Sequence, residues 1–299
     1  MQSLRDIRQE IKSIKATQQI MLTMKMISSA RIKKAQRQME DGRPFAEKMA
    51  VMIDNLRRDI ENPQSAVYNS PARRYFSAAG ADPDKTALLF ITADKGLVGG
   101  FNAMAIRQCI KWLRANAHKE KYVFAAGKKG RDFLRRLKMP RLKVIGDLTG
   151  VFPKVTYAHA AMIQDVLSQS ALKENIGAIE VIYNDFKSMA AQTLVQKTIL
   201  PFNFDEVHGR EDLTDFIFEP DMLEVLLTLL PRYMGATIYR CLLESQAAEL
   251  AARMNAMEAA SNNAGDIITR LGVTLNKVRQ ESITNELTEI ISGANALND

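Results

Sequence analysis

Two heptad stripes, one at each end of the chain, limit what this sequence can fold into. Near the C-terminus, Leu250, Met254, Met257, Ser261, Ala264, Ile268, Leu271, Leu275 and Val278 fall at alternating steps of four and three. Apart from Ser261 the stripe is apolar, and it persists for about four repeats, the pattern of a coiled-coil seam. Near the N-terminus, Ile7, Ile11, Ile14, Met21 and Met24 keep the same seven-residue period. After a less regular middle, Gly42, Ala46, Met49, Ile53, Leu56 and Ile60 resume it. A helix with one apolar stripe needs a partner. The economical partner for each end is the other end, in an antiparallel coiled coil. At 1.5 Å per residue, roughly 55 residues make a rod of ~80 Å, longer than a globular domain is wide, so part of it is expected to project.

Charge supports that pairing. Residues 1–40 carry nine Lys/Arg against three acids, whereas residues 233–299 carry five against eight. One helix is basic and its proposed mate mildly acidic, which leaves positive charge facing outward. The two cysteines, Cys109 and Cys241, form no CxxC motif and read as structural thiols of a reduced compartment. No run of 18 apolar residues is present, so no membrane-spanning helix and no direct membrane insertion are expected. Asp6 and Glu10 inside the amphipathic N-terminus argue against a transit peptide.

Between the stripes the period changes. Pro63, Pro71, Gly80 and Pro83 mark residues 61–85 as a connector. Short apolar runs predict strands at 87–92, 122–126, 142–145, 178–183 and 192–199. Helices are predicted at 102–117, 129–138 and 156–170. Strand–helix alternation closed by a hairpin-like pair implies an α/β layer with a mostly parallel sheet. The division that follows is 1–60 coiled-coil helix, 61–85 connector, 86–206 α/β base, 207–232 connector with a short helix, and 233–299 coiled-coil helix. Pro231 is expected to kink the chain before the last helix. The fold class is α/β: a long antiparallel coiled coil of the two terminal helices plus a central Rossmann-like domain.

Sites for chemistry are scarce. Thr92-Ala-Asp-Lys-Gly-Leu-Val-Gly-Gly-Phe-Asn102 follows a strand and opens a helix, where amides can hold a phosphate. It is neither GxGxxG nor a P-loop, so a tight turn packed against another surface is the better reading. His118, His159 and His208 have no ligand at helical spacing to complete a metal set. No GxSxG elbow occurs. The Met21–Met26 run reads as core, and the basic run Arg31–Arg37 as a solvated face or a nucleic-acid patch. No catalytic residue, nucleotide site, metal or cofactor is expected.

Four stretches carry a family resemblance: residues 7–36 (IRQEIKSIKATQQIMLTMKMISSARIKKAQ), 94–102 (DKGLVGGFN), 251–264 (AARMNAMEAASNNA) and 276–294 (NKVRQESITNELTEIISGA). Together they resemble the gamma subunits of F-type ATP synthases, and the likeness extends over essentially the whole chain. Val98 stands where many relatives have Cys, the 63–85 loop is longer than in compact bacterial members, and the inserted cysteine pair of the redox-switched chloroplast type is absent.

The resemblance implies a central rotor stalk on the cytoplasmic face of a bacterial inner membrane, held there peripherally by its complex. The coiled coil would pass through the hexamer of alpha and beta subunits. The base would rest on the epsilon subunit and the c-subunit ring, whose proton-driven rotation it would relay to the beta subunits for ATP synthesis or hydrolysis. Matching the family's pattern, Arg279 and Gln280 would engage the catch loops, with Thr284, Glu286 and Thr288 on the same helix. Arg253, Met24 and Lys25 would serve a lower contact, and Phe218 and Glu219 would touch the c ring. Two other classes fit the composition: a basic coiled-coil nucleic-acid binder, with steeply salt-dependent affinity, and a dinucleotide enzyme.

Overall fold

The computed structural model describes residues 3–65, 68–78, 80–152, 154–203, 219 and 221–296. Helix α1 is Leu4–Glu61 and helix α5 is Met222–Ala296. Between them run β1 (Asp82–Ile91), α2 (Phe101–Ala115), β2 (Glu120–Ala126), α3 (Lys128–Arg136), β3 (Leu142–Leu148), α4 (Tyr157–Glu174), β4 (Ile176–Phe186) and β5 (Gln192–Leu200). The chain forms two compact units. One combines residues 1–29 with 253–299, and the other spans residues 30–252.

The larger unit is built on a five-stranded sheet of order β3-β2-β1-β4-β5. The first four strands are parallel, and β5 pairs antiparallel with β4. Residues Ala87 to Ile91 are wholly buried, as expected of a central strand covered on both faces. Alternate residues enter different cores. Ala87, Leu89 and Ile91 join Ile163 and Leu167 of α4, Ile53 and Ile60 of α1, and Leu230 and Ile238 of α5. Leu88 and Phe90 join Cys109 and Trp112 of α2 and Leu134 of α3. The sheet is therefore a layer between two helical faces, with both long helices on the α4 side.

Helix α5 runs through Pro231 without a break, so the expected kink is not a boundary, and the helix begins at Met222. Proline removes the amide that would reach the carbonyl of Leu227. Leu227 is 40% exposed, so water can satisfy that oxygen, while buried Leu226, Leu230 and Met234 hold the inner face. Farther along, residues 241–251 are all buried. In α1, buried Met49, Ile53, Leu56 and Ile60 follow the predicted stripe. Gly42 departs from it: it is exposed, with nothing within 4 Å of where a Cβ would stand. The side chain of Ala46 lies outside the described residues.

The smaller unit is an antiparallel helix pair. Gln18 donates from Nε2 to the carbonyl of Ser261 at 3.0 Å, and Lys25 meets Glu258 at 2.7 Å, so rising numbers on one helix face falling numbers on the other. On α5, Met254, Met257, Ser261, Ala264, Ile268, Leu271, Leu275 and Val278 are buried or half-buried, while most residues between them are exposed. That matches the heptad. On α1 the inward series is Ile7, Ile11, Ile14, Gln18, Met21, Lys25 and Ser28. Met24 is therefore not a seam residue: it is 37% exposed, and Lys25 takes the position. Counting only apolar residues hid this, because three of the seven inward residues, Gln18, Lys25 and Ser28, are polar.

Candidate functional site

The loop after β1 is knotted by one carboxylate. Asp94 Oδ1 accepts the amides of Lys128 (2.9 Å) and Gly150 (3.0 Å), and Oδ2 accepts the amide of Phe152 (3.0 Å). Lys128 opens α3, so the helix-start amide that could face a phosphate is occupied by the protein's own anion. Asn102 Oδ1 accepts the amide of Ala93 at 3.0 Å, and Thr92 Oγ1 accepts that of Gly130 at 2.7 Å. Gly127 adopts φ 104°, where a Cβ would lie 2.0 Å from the Thr92 carbonyl, so only glycine fits. Ala93, Val98 and Phe101 are buried in one cluster with Ala248 of α5. The small side chain at 248 lets α5 approach closely, and the loop is a seat for the helix, the packed turn expected from sequence.

The other candidate groups have structural partners. His159 completes a capping box with Thr156 at the start of α4, its Nδ1 accepting the Thr156 amide at 3.2 Å. His118 offers its backbone carbonyl to Arg141 at 2.6 Å. His208 lies outside the described residues. Among the described residues no three His, Cys, Asp or Glu side chains cluster as a metal set. Cys109 and Cys241 are buried in cores on opposite faces of the sheet. Burial pushes their thiols up to about 12 and about 11 respectively.

The helix pair presents the remaining candidates. Lys25 is half-buried against Glu258, and Arg253 is also half-buried and partnered. Arg279, Gln280, Thr284, Glu286 and Thr288 are all exposed on one stretch of α5. Thr284 and Thr288 donate to the carbonyls four residues back, at 2.9 and 2.8 Å, and Ser282 donates to Glu286 Oε1 at 3.2 Å. Glu219 is exposed, and Phe218 lies outside the described residues.

Two exposed apolar groups stand out, of which sequence reasoning singles out only Met24 as a contact residue. Ile20, Leu22, Met24, Met26 and Ile27 are 37–61% exposed, so most of the methionine run is surface rather than core. Beyond the seam, Ile283, Leu287, Ile290 and Ile291 are 47–67% exposed. Clustered apolar side chains facing water mark contact surfaces. The signal was available in residues 283–291, where the apolar period continues past the point at which α1 can supply a mate.

A family model described as ATP synthase matches residues 3–297. The ATP synthase gamma chain of Elusimicrobium minutum is 48% identical over 302 residues, covering 100% of both chains. That of Pelotomaculum thermopropionicum is 35% identical over 300 residues, covering 99% of this chain and 100% of the relative. Among solved structures, a chain from the central stalk and c-ring of Tetrahymena thermophila mitochondrial ATP synthase is 28% identical with a TM-score of 0.59, over 81% of this chain and 99% of that one. A chain of the Euglena gracilis mitochondrial enzyme shares the fold at 19% identity and a TM-score of 0.66, over 98% of this chain and 94% of that one. A helix pair, a sheet that seats its second helix, and a full-length match at 48% identity converge on one assignment: the chain belongs to the ATP synthase gamma-chain family.

Proposed function

We propose that this chain is the central rotor stalk of an F-type ATP synthase, relaying rotation of a membrane c-subunit ring to the alpha and beta subunits that make or hydrolyse ATP. The observation that carries the reading is the surface of the helix pair. Its seam is closed, yet Ile283, Leu287, Ile290 and Ile291 face water beside exposed Arg279, Gln280 and Glu286. Apolar side chains can slide in a sleeve without fixed hydrogen bonds, and the adjoining charged residues can supply charge-assisted contacts at defined angles. In this reading Arg279, Gln280, Thr284, Glu286 and Thr288 form the upper contact. Arg253, Met24 and Lys25 form the lower one, and Phe218 and Glu219 meet the c ring.

The chain itself is non-catalytic in this account. Asp94 takes the first amide of α3, so that helix start is turned toward the protein's own carboxylate, which supports that view. Residues 1–60 and 233–299 serve as the shaft, and 86–206 as the base on the epsilon subunit and the c ring. Among the described residues no helix is long and apolar enough to cross a membrane. In this account the chain is attached peripherally, through its complex, on the cytoplasmic face of a bacterial inner membrane. The nucleic-acid alternative gains nothing from the family match and is dropped.

The test is reconstitution. Purified chain mixed with alpha and beta subunits is expected to give a stoichiometric complex with ATPase activity, and Arg279→Ala to weaken assembly or slow turnover. Failure of the wild-type chain to assemble would overturn the reading. A mutant that assembles and turns over like wild type would remove Arg279 from the contact.

A further inference from the structure

The positive charge of this chain is concentrated on one side of the sheet. Residues 107–143 hold thirteen Lys/Arg against two acids, a net +11 in a chain whose total is +7, so the remaining residues together are acidic. This stretch covers most of α2, all of α3 and the start of β3. In α2, Ala105, Cys109, Trp112 and Leu113 are buried against the sheet. Arg107, Lys111 and Arg114, at steps of four and three, share the opposite, exposed stripe. Helix α3 sets Leu134 into the same core and leaves Lys128, Lys129, Arg135 and Arg136 exposed. Both helices cover the same face of the sheet, so one side of the base carries both rows of cations.

The few carboxylates nearby are already engaged. Asp132 is held by Arg131 at 2.9 Å, Asp147 meets Arg135 at 3.6 Å, and Glu120 accepts from the Tyr122 hydroxyl at 2.8 Å. Arg107, Lys111, Arg114, Lys128, Lys129 and Lys138 meet no carboxylate among the described residues. Arg107 and Lys111 stand four apart on α2, a spacing at which like charges destabilise a helix. The fold gains nothing from these cations, and an anionic surface outside the chain would offset their repulsion.

We propose that this α2–α3 face docks on anionic phospholipid headgroups. Exposed Lys and Arg give phosphates charge-assisted hydrogen bonds without needing a pocket. Each Lys or Arg brought to an anionic bilayer surface tightens binding about fivefold. The choice of lipid over an acidic protein rests on the rotor reading above, in which the base stands on a membrane ring and turns with it. A fixed acidic partner would hold this face at one angle in each turn. Headgroups are mobile, so the same attraction is available at every angle and steadies the base without stalling it. The attraction acts over roughly 10 Å at 0.1 M salt, so it is confined to the part of the base next to the bilayer.

The test is cosedimentation of the purified full-length chain with vesicles made of equal parts phosphatidylglycerol and phosphatidylcholine, against vesicles of phosphatidylcholine alone. Saturable binding to the anionic vesicles is expected, abolished in about 1 M salt, with none to the neutral ones. Lys111→Gln, Arg114→Gln and Lys129→Gln together are expected to weaken it roughly 100-fold. A matched set on α1, Lys33→Gln, Lys34→Gln and Arg37→Gln, lowers the net charge equally and is expected to weaken it less than about fivefold. All six side chains are exposed, and equal urea midpoints check that each variant keeps the fold. Absence of binding to the anionic vesicles would overturn the proposal. So would equal losses in the two sets, or capture of soluble polyglutamate in preference to the vesicles. Assembly with alpha and beta subunits tests the rotor reading separately, so a chain that assembles but ignores the vesicles would remove this inference alone.

Discussion

Lys25 Nζ lies 2.7 Å from Glu258 Oε1, an ion pair that joins the two ends of the chain across 233 residues of sequence. The side chains remain 34% and 48% exposed, so water and salt screen the attraction. Pairs of this kind couple by about 0.2–1 kcal/mol. A double-mutant cycle of Lys25→Ala and Glu258→Ala, read by urea denaturation, is expected to give a coupling in that range that shrinks in 1 M salt. A coupling above about 2 kcal/mol would mean the pair stabilises the helices rather than setting their register.

Asp94→Ala leaves three backbone amides around the β1–α2 turn without their acceptor. The expected loss is about 2–4 kcal/mol, seen as a lower urea midpoint at unchanged slope. A loss below about 0.5 kcal/mol would show that the turn is held by the packing of Val98 and Phe101 alone.

The thiols give the chain a pH dependence of definite sign. Cys109 and Cys241 keep their protons in the fold up to about 12 and about 11, whereas an unfolded thiol releases its proton near 8.5. The native state therefore binds more protons above that pH, and stability falls as pH rises. Between pH 8.5 and 10 the fall is roughly 2 kcal/mol per thiol. Wild type is expected to lose more stability over that interval than a Cys109→Ala, Cys241→Ala double variant, and reductants are expected to leave the assembled enzyme's rate unchanged. Equal pH slopes in the two proteins would contradict the burial argument.

Much of this architecture was legible in the sequence because it rests on period. The run Ala87–Ile91 has no polar break, and only a strand covered on both faces accommodates that. The α5 heptad likewise appears residue for residue as the inward face. What escaped was polarity in buried places. Gln18 and Lys25 occupy seam positions because each finds a partner on α5, a pairing no local pattern discloses. Lys121 is 1% exposed because its ammonium donates to the carbonyls of Asn116, Ala117 and Lys119 at the end of α2. The contact residues on α5 were legible only by resemblance, since exposed Arg, Gln and Thr on a helix have no periodic signature of their own.

Leu271 sits half-buried in the seam between Ile268 and Leu275. An aspartate there must ionise beside apolar neighbours or take up a proton, at a cost of about 1–3 kcal/mol for a partly wet site. Leu271→Met keeps volume and polarity and is expected to cost under about 1.5 kcal/mol. In membrane vesicles the Asp variant is expected to pump fewer ions per ATP than the Met variant. Equal pumping per ATP would show that the seam does not transmit torque.

The central claim is that this chain turns inside its complex. Both native cysteines are buried, so a Lys173→Cys variant, placed on the exposed end of α4, offers one reactive thiol for a fluorescent or bead label. With the alpha and beta subunits fixed to a surface and ATP added, the label is expected to revolve in one direction, in discrete steps, and to stop when ATP is removed. A complex that hydrolyses ATP at its full rate while the labelled chain stays at a fixed angle would contradict the account.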